Sequence, residues 1–271
     1  MTRYPVATSD HHVALDGRRL FARRWQAADA DRNGPALVLL HDSLGCVELW
    51  RDFPERLAEA TGLPVVAYDR LGFGRSDPNP ARLDRDFMAD EARTGFTAVR
   101  EQLGVDRFIP FGHSAGGGMA VAVATAFPGA CAAVITQAAQ AFAEDRTLAG
   151  IRDAMVQFAD PDQMARLARY HGDKAQWVFD AWTETWLAPD FADWTLDALL
   201  EEVRCPILAI HGDRDEYGSR AHPERIAAGA GGPVTPLLLE NCGHLPHREY
   251  PAPVIAAVQS LLATVTAPVP R

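Results

Sequence analysis

The sequence predicts an α/β fold: a mostly parallel central sheet flanked by helices on both faces, interrupted by one helical insertion. Three observations carry this. Short continuous apolar runs, as expected of strands buried on both faces, recur along the chain. They alternate with segments whose apolar residues fall at helical spacing. The alternation stops between Glu144 and about Glu202, where no strand signal is present, and resumes at Cys205.

Taken in order, residues 12–15 and 19–26 flank the turn signal Asp16-Gly17 and predict a hairpin. Residues 36–40 are the first buried strand. Trp50, Phe53, Leu57 and Ala60 follow at helical spacing, and residues 63–68 give the next strand. Ala92, Phe96, Val99 and Leu103 share one face of a second helix. Residues 107–111 are a third buried strand, 115–127 a third helix and 130–136 a further strand. The break that follows holds four of the six tryptophans, Trp177, Trp182, Trp186 and Trp194. Within it Val178, Trp182 and Trp186 make a stripe at i, i+4 and i+8. Strands return at 205–211 and 234–239. Pro236 cannot donate to a ladder, which predicts an edge position for the last strand. Val254, Val258, Leu261 and Val265 share one face of the final helix, and the proline-containing tail after Ala267 is expected to be loose. The expected division is a core of residues 1–143 and 203–271 with a helical cap of residues 144–202.

Composition narrows the function classes. Twenty-six basic residues stand against 36 acidic ones, a net charge of −10, so no basic excess exists to neutralise nucleic-acid phosphates. With 48% apolar residues in 271 the chain can bury a sizeable core. No apolar run approaches the roughly 20 residues of a membrane helix, and residues 1–10 carry no segment of signal-peptide type. Cys46, Cys131, Cys205 and Cys242 are far apart and lack zinc-ligand spacing. They read as free buried thiols, and the expected setting is cytoplasmic.

Ligand sites in parallel sheets lie at the carboxyl ends of the strands. After Phe111 comes Gly112-His113-Ser114-Ala115-Gly116, a G-x-S-x-G placed between a strand and a helix. A serine on so sharp a turn needs neighbours without a Cβ two residues to either side. It then stands at a helix N-terminus, where free N–H groups favour developing negative charge. Dinucleotide and P-loop glycine spacings are absent. Ser114 is therefore the candidate nucleophile. A serine hydroxyl needs a base. Of nine histidines, His244 follows Asn241-Cys242-Gly243 directly after the last strand, on a loop over the strand ends. It is the first candidate, with His247 second. The carboxylate is expected at the preceding strand end, where Asp215 is preferred and Asp213 is the alternative. The order Ser, Asp, His is that of one class of hydrolase triad. His41-Asp42-Ser43-Leu44-Gly45 follows the first buried strand and can offer an oxyanion N–H. Ser43 is the expected donor, with Asp42 and Leu44 as alternatives, and Ala115 offers the second N–H.

With these residues in place the chain resembles the α/β-hydrolase fold superfamily over nearly its whole length. Asp69-Arg70-Leu71-Gly72-Phe73-Gly74-Arg75-Ser76 is similar to the D-x-x-G-x-G-x-S segment of that family. Gly243-His244-Leu245-Pro246-His247 is similar to its histidine loop. One departure is Asp42, where the family's oxyanion loop usually has glycine after the histidine. The resemblance implies a serine hydrolase acting on a small carboxylic ester, lactone or thioester, without metal or organic cofactor. The cap would roof the pocket, and Trp182 and Trp186 are expected to line its acyl side; the alternative destination of the stripe is the cap's own core. C–C hydrolases of the meta-cleavage type favour Asn before the serine and Trp after the histidine, where this chain has His113 and Leu245. That activity, and a non-catalytic ligand receptor of the same fold, are the alternatives.

Overall fold

The computed structural model of the chain describes residues 6–28 and 34–265; the tail after Ala267 and the first five residues lie outside them. The chain opens with β1 (Val6–Leu15) and β2 (Arg18–Ala27), which turn at Asp16 and Gly17, both at positive φ. There follow β3 (Ala36–Leu40), α1 (Phe53–Thr61), β4 (Val65–Tyr68), α2 (Phe87–Arg93), α3 (Gly95–Gln102), β5 (Phe108–His113), α4 (Ala115–Ala126) and β6 (Val134–Gln137). The insertion supplies α5 (Asp145–Gln157), α6 (Pro161–His171), α7 (Ala175–Trp186) and α8 (Asp197–Glu202). The chain ends with β7 (Ile207–Gly212), α9 (Ala221–Gly229), β8 (Val234–Leu239), α10 (Pro246–Glu249) and α11 (Pro251–Val265).

The strands lie in the order β1-β2-β4-β3-β5-β6-β7-β8. β2 runs antiparallel to β1 and β4, and every other pairing is parallel. β8 is the edge strand that Pro236 predicts, with Pro236 opposite Ala209. The two-residue period of β3 shows why its five residues are all apolar. Ala36, Val38 and Leu40 join the core beneath α2, α3 and α4, whereas Leu37 and Leu39 join the core beneath α1 and α11. Each buried valine or leucine among them is worth about 1.5–3 kcal/mol. α4 is buried on all sides from Ala115 to Ala124, which its run of small and apolar residues permits.

The helix expected across Ala92 to Leu103 is broken in two. Thr94 leaves helical geometry (φ −113°, ψ −86°), and its hydroxyl donates back to the Asp90 carbonyl at 2.7 Å. Threonine competes in this way with the helical ladder.

Between β6 and β7 every described element is helical. α6 starts at Asp160, whose side chain accepts the Asp162 N–H, with Pro161 in the first turn. α6 and α7 close a small core of Leu167, Ala175, Val178 and Phe179 on Phe73, from the loop after β4. The rest turns inward: Trp186, Phe191, Trp194 and Leu200 belong to the main core, and α8 packs on α4 and α9.

Candidate active site

Ser114 caps α4 with φ 55° and ψ −122°, a conformation that side-chain-bearing residues rarely adopt. Its N–H donates to the Gln137 carbonyl at 2.8 Å, which pins the turn to β6. The two glycines of the motif are required by space. A Cβ on Gly112 would lie 1.9 Å from the Gly116 carbonyl oxygen, and one on Gly116 would lie 2.1 Å from that of Leu40. In each case the three nearest atoms are backbone, which cannot swing aside as a side chain could.

His244 stands on the loop between β8 and α10. Its Nδ1 donates to Asp215, 2.9 Å from each carboxylate oxygen. Asp215 lies just past β7, 1% exposed, and its Oδ1 also accepts the N–H groups of Tyr217 (2.8 Å) and Gly218 (3.1 Å). Burial raises the Asp215 carboxyl, but the His244 hydrogen bond, the charges of His244 and His211 and the Tyr217 N–H together hold it below its ordinary value. Burial lowers His244, yet the hydrogen bond and charge of Asp215, with Glu216 and Asp42 adding to them, leave it raised. Asp213, the alternative carboxylate, is exposed and accepts the Cys242 N–H at 3.3 Å, a turn contact. His247, the alternative histidine, is buried against Trp50, and its Nδ1 accepts from Gln137 Nε2 at 2.7 Å.

Ser114 and His244 line one cavity of about 100 Å³, together with Ser43, Gln140, Trp182 and Trp186. An adjoining cavity of about 300 Å³ is lined by Trp50, His113 and Arg248; Asp42, Leu44, Tyr217 and His244 border both. The Ser114 hydroxyl donates to Gln140 Oε1 at 3.3 Å. The Ser43 and Ala115 N–H groups have no acceptor among the described residues, whereas the Leu44 N–H is taken by Asp42 Oδ1 at 2.9 Å. The stripe of α7 divides. Val178 enters the small core of the insertion, Trp186 is buried in the main core, and Trp182 is half-buried between them. Both indoles reach the smaller cavity.

Gln140 is one of three residues of the smaller cavity, with Thr147 and Tyr217, that the sequence analysis passes over. It follows the end of β6, so the rule that directs attention to strand ends also covers it. Among the described residues no cluster of three or more His, Cys, Asp or Glu side chains is placed to hold a metal ion. Nor is any helix long and apolar enough to cross a membrane.

A family model described as the alpha/beta hydrolase family matches residues 37–257. Over 101 residues the chain is 39% identical to the 1-acylglycerol-3-phosphate O-acyltransferase of Homo sapiens, a stretch covering 35% of this chain and 27% of that protein. Over 100 residues it is 27% identical to the zearalenone hydrolase of Cladophialophora bantiana, 37% of each chain. The chain thus spans about a quarter to somewhat over a third of the length of these curated relatives. Among solved structures, a membrane phospholipase A described as a bacterial virulence factor superposes with a TM-score of 0.77, covering 96% of this chain and 87% of that one at 21% identity. At that identity the likeness is one of fold.

Proposed function

Because the chain belongs to the alpha/beta hydrolase family, we propose that it is a serine hydrolase cleaving small carboxylic esters, lactones or thioesters through an acyl-enzyme. One observation supports this above the others. A strained serine and a histidine hydrogen-bonded to a buried carboxylate border the same cavity. Ser114 Oγ attacks the acyl carbon while His244 Nε2 takes its proton. The bond between the acyl carbon and the leaving oxygen or sulfur breaks, and that atom receives the proton from His244. Water, deprotonated by the same imidazole, then attacks the acyl carbon and releases Ser114. Asp215 fixes the tautomer with hydrogen on Nδ1 and stabilises the imidazolium. The N–H groups of Ser43 and Ala115 face the oxyanion, and the dipole of α4 adds to them. Trp182 and Trp186 bound the acyl side. A cytoplasmic setting accords with four free thiols.

The hydroxyl of Ser114 points at Gln140 and turns toward His244 for reaction. Such contacts tighten when substrate is bound. Labelling with a fluorophosphonate separates this enzyme from a binding protein of the same fold, since only an activated serine reacts quickly. Ser114→Ala abolishes labelling and lowers p-nitrophenyl acetate hydrolysis roughly 10⁴ to 10⁶-fold. Retention of more than a tenth of the activity in a folded variant overturns the assignment.

A further inference from the structure

Gln137 and Gln140 lie three residues apart and meet different fates. The amide nitrogen of Gln137 donates to His247, while its Oε1 is sealed in the core without a partner among the described residues. Gln140 is as deeply buried, 2% exposed, but its side chain borders the cavity of Ser114. Its Oε1 accepts only from the Ser114 hydroxyl, at a long 3.3 Å, and its Nε2 has no acceptor among the described residues. The Gln140 nitrogen is not sealed in the core, so the amide presents a free donor and a weakly held acceptor at the cavity.

The backbone around Gln140 is fixed. Ala138 stands at φ 49° and donates to the Ile210 carbonyl at 2.9 Å. Ala141 donates to His222 Nδ1 at 3.1 Å and accepts from the Leu196 N–H at 2.8 Å. The amide is therefore held at the cavity wall by both flanking segments. The indoles of Trp182 and Trp186 line the same cavity. The hydroxyl of Thr147, in the same wall, already donates to the Tyr217 carbonyl at 2.6 Å. The part of the site that Gln140 borders is small, about 100 Å³, and adjoins the cavity of about 300 Å³.

We propose that Gln140 recognises a hydroxyl on the acyl part of the substrate, so that short hydroxyacyl groups are preferred to plain alkanoyl groups of equal length. This rests on the acyl-enzyme reading of Ser114. The substrate hydroxyl donates to Gln140 Oε1 and displaces the Ser114 hydroxyl from it. The serine O–H is then free to turn to His244 Nε2. A plain alkanoyl group leaves the amide facing hydrocarbon, and the serine keeps its resting partner. Sites built to hydrogen-bond a substrate hydroxyl reject the analogue that lacks it far more strongly than apolar pockets reject a missing methylene.

The test compares ethyl butyrate, ethyl 2-hydroxybutyrate and ethyl 3-hydroxybutyrate by proton release, in the wild type, Gln140→Leu and Gln140→Glu. Comparing ratios between proteins cancels the intrinsic reactivity of each ester. In the wild type at least one hydroxy ester is expected to exceed butyrate in kcat/KM by about tenfold or more. Gln140→Leu should bring that ratio down about tenfold, and Gln140→Glu, which keeps an acceptor, should restore part of it. Equal ratios in the wild type and Gln140→Leu overturn the proposal. Butyrate preferred over both hydroxy esters by the wild type also overturns it, even if the Leu variant fails to fold. Fluorophosphonate labelling distinguishes the two readings. Labelling with unchanged ratios removes the role of Gln140 alone, whereas an unlabelled, inactive wild type removes the acyl-enzyme reading and this proposal with it.

Discussion

Asp42 Oδ2 lies 3.2 Å from Nδ1 of His113, whose Nε2 lies 2.8 Å from the carbonyl oxygen of His244. With Asp42 Oδ1 on the Leu44 N–H, one carboxylate links the oxyanion loop, the residue before Ser114 and the backbone of His244. Both ring nitrogens of His113 thus face oxygen atoms, one from the oxyanion loop and one from the histidine loop. The aspartate that departs from the usual glycine therefore has a structural role in holding three loops of the candidate site together.

That role has a pH signature. Burial raises the Asp42 carboxyl, but the His113 hydrogen bond and charge, the charge of His41 and the Leu44 N–H outweigh it and hold the group far below the usual carboxylate range. A carboxyl depressed in the folded state contributes stability above its unfolded value of about 3.9, and that contribution is lost as pH falls through the folded value. Asp42→Asn is expected to lower Tm at neutral pH, by roughly 1–3 kcal/mol of stability. It should also flatten the fall in Tm on the acid side. Melting curves from about pH 3 to pH 7 check this, and parallel slopes in both proteins would remove the linkage.

His244 gives the opposite sign. It accepts a proton only when neutral, so kcat/KM falls as pH drops through its raised value, and the midpoint should lie above the ordinary histidine value of about 6.5. The stability linked to that raised value is full below the unfolded pKa and is lost as pH rises through the folded one. Activity and this part of stability thus move in opposite directions across the same window. Asp215→Asn removes the largest contributions that raise His244 and leaves burial opposed only by the charges of Glu216 and Asp42, so the midpoint moves to lower pH, with a loss in kcat on the order of 10⁴. Asp213→Asn, altering an exposed turn, should leave both nearly unchanged. The pH profiles of the two variants decide between the carboxylates.

Gly116→Ala places a methyl 2.1 Å from the Leu40 carbonyl oxygen, against backbone that the sheet holds in place. Overpacking of this kind costs roughly 1–3 kcal/mol or more. Soluble yield and Tm should fall sharply. Gly129→Ala is the control, since nothing lies within 4 Å of its Cβ position. Equal melting temperatures in the two variants would show that the turn can relax.

The sheet was readable because parallel strands buried on both faces leave uninterrupted apolar runs such as 36–40, and because Pro236 is compatible only with an edge. The juxtaposition of Ser114, Asp215 and His244 followed from motif and chain order together. The break at Thr94 was not readable, because apolar spacing continues through it while the backbone leaves helical geometry. Gln140 was missed as well. Its residue type does not mark it, although its place just after β6 falls under the rule of strand ends, and its side chain borders the cavity.

The indoles of α7 share the cavity but not the same surroundings, and their truncation should separate the two. Trp186 is 3% exposed and packs on Phe191 and Trp194 at ring distances of 4.9 and 5.6 Å. Trp186→Ala is expected to cost roughly 3–5 kcal/mol of stability and to depress activity on all chain lengths together. Trp182 is half-buried, with looser contacts to Phe179 at 6.4 Å and Tyr217 at 6.0 Å. Trp182→Ala opens volume beside Ser114 while sparing most of the core. Each methylene newly accommodated is worth about 0.8 kcal/mol, so two or three would shift kcat/KM several-fold to tens-fold toward longer esters. A C2 to C8 series of p-nitrophenyl esters, measured beside melting curves, checks both variants. Unchanged chain-length preference in Trp182→Ala, with a lowered Tm, would make that indole packing alone and place the acyl wall on Trp186 and Gln140.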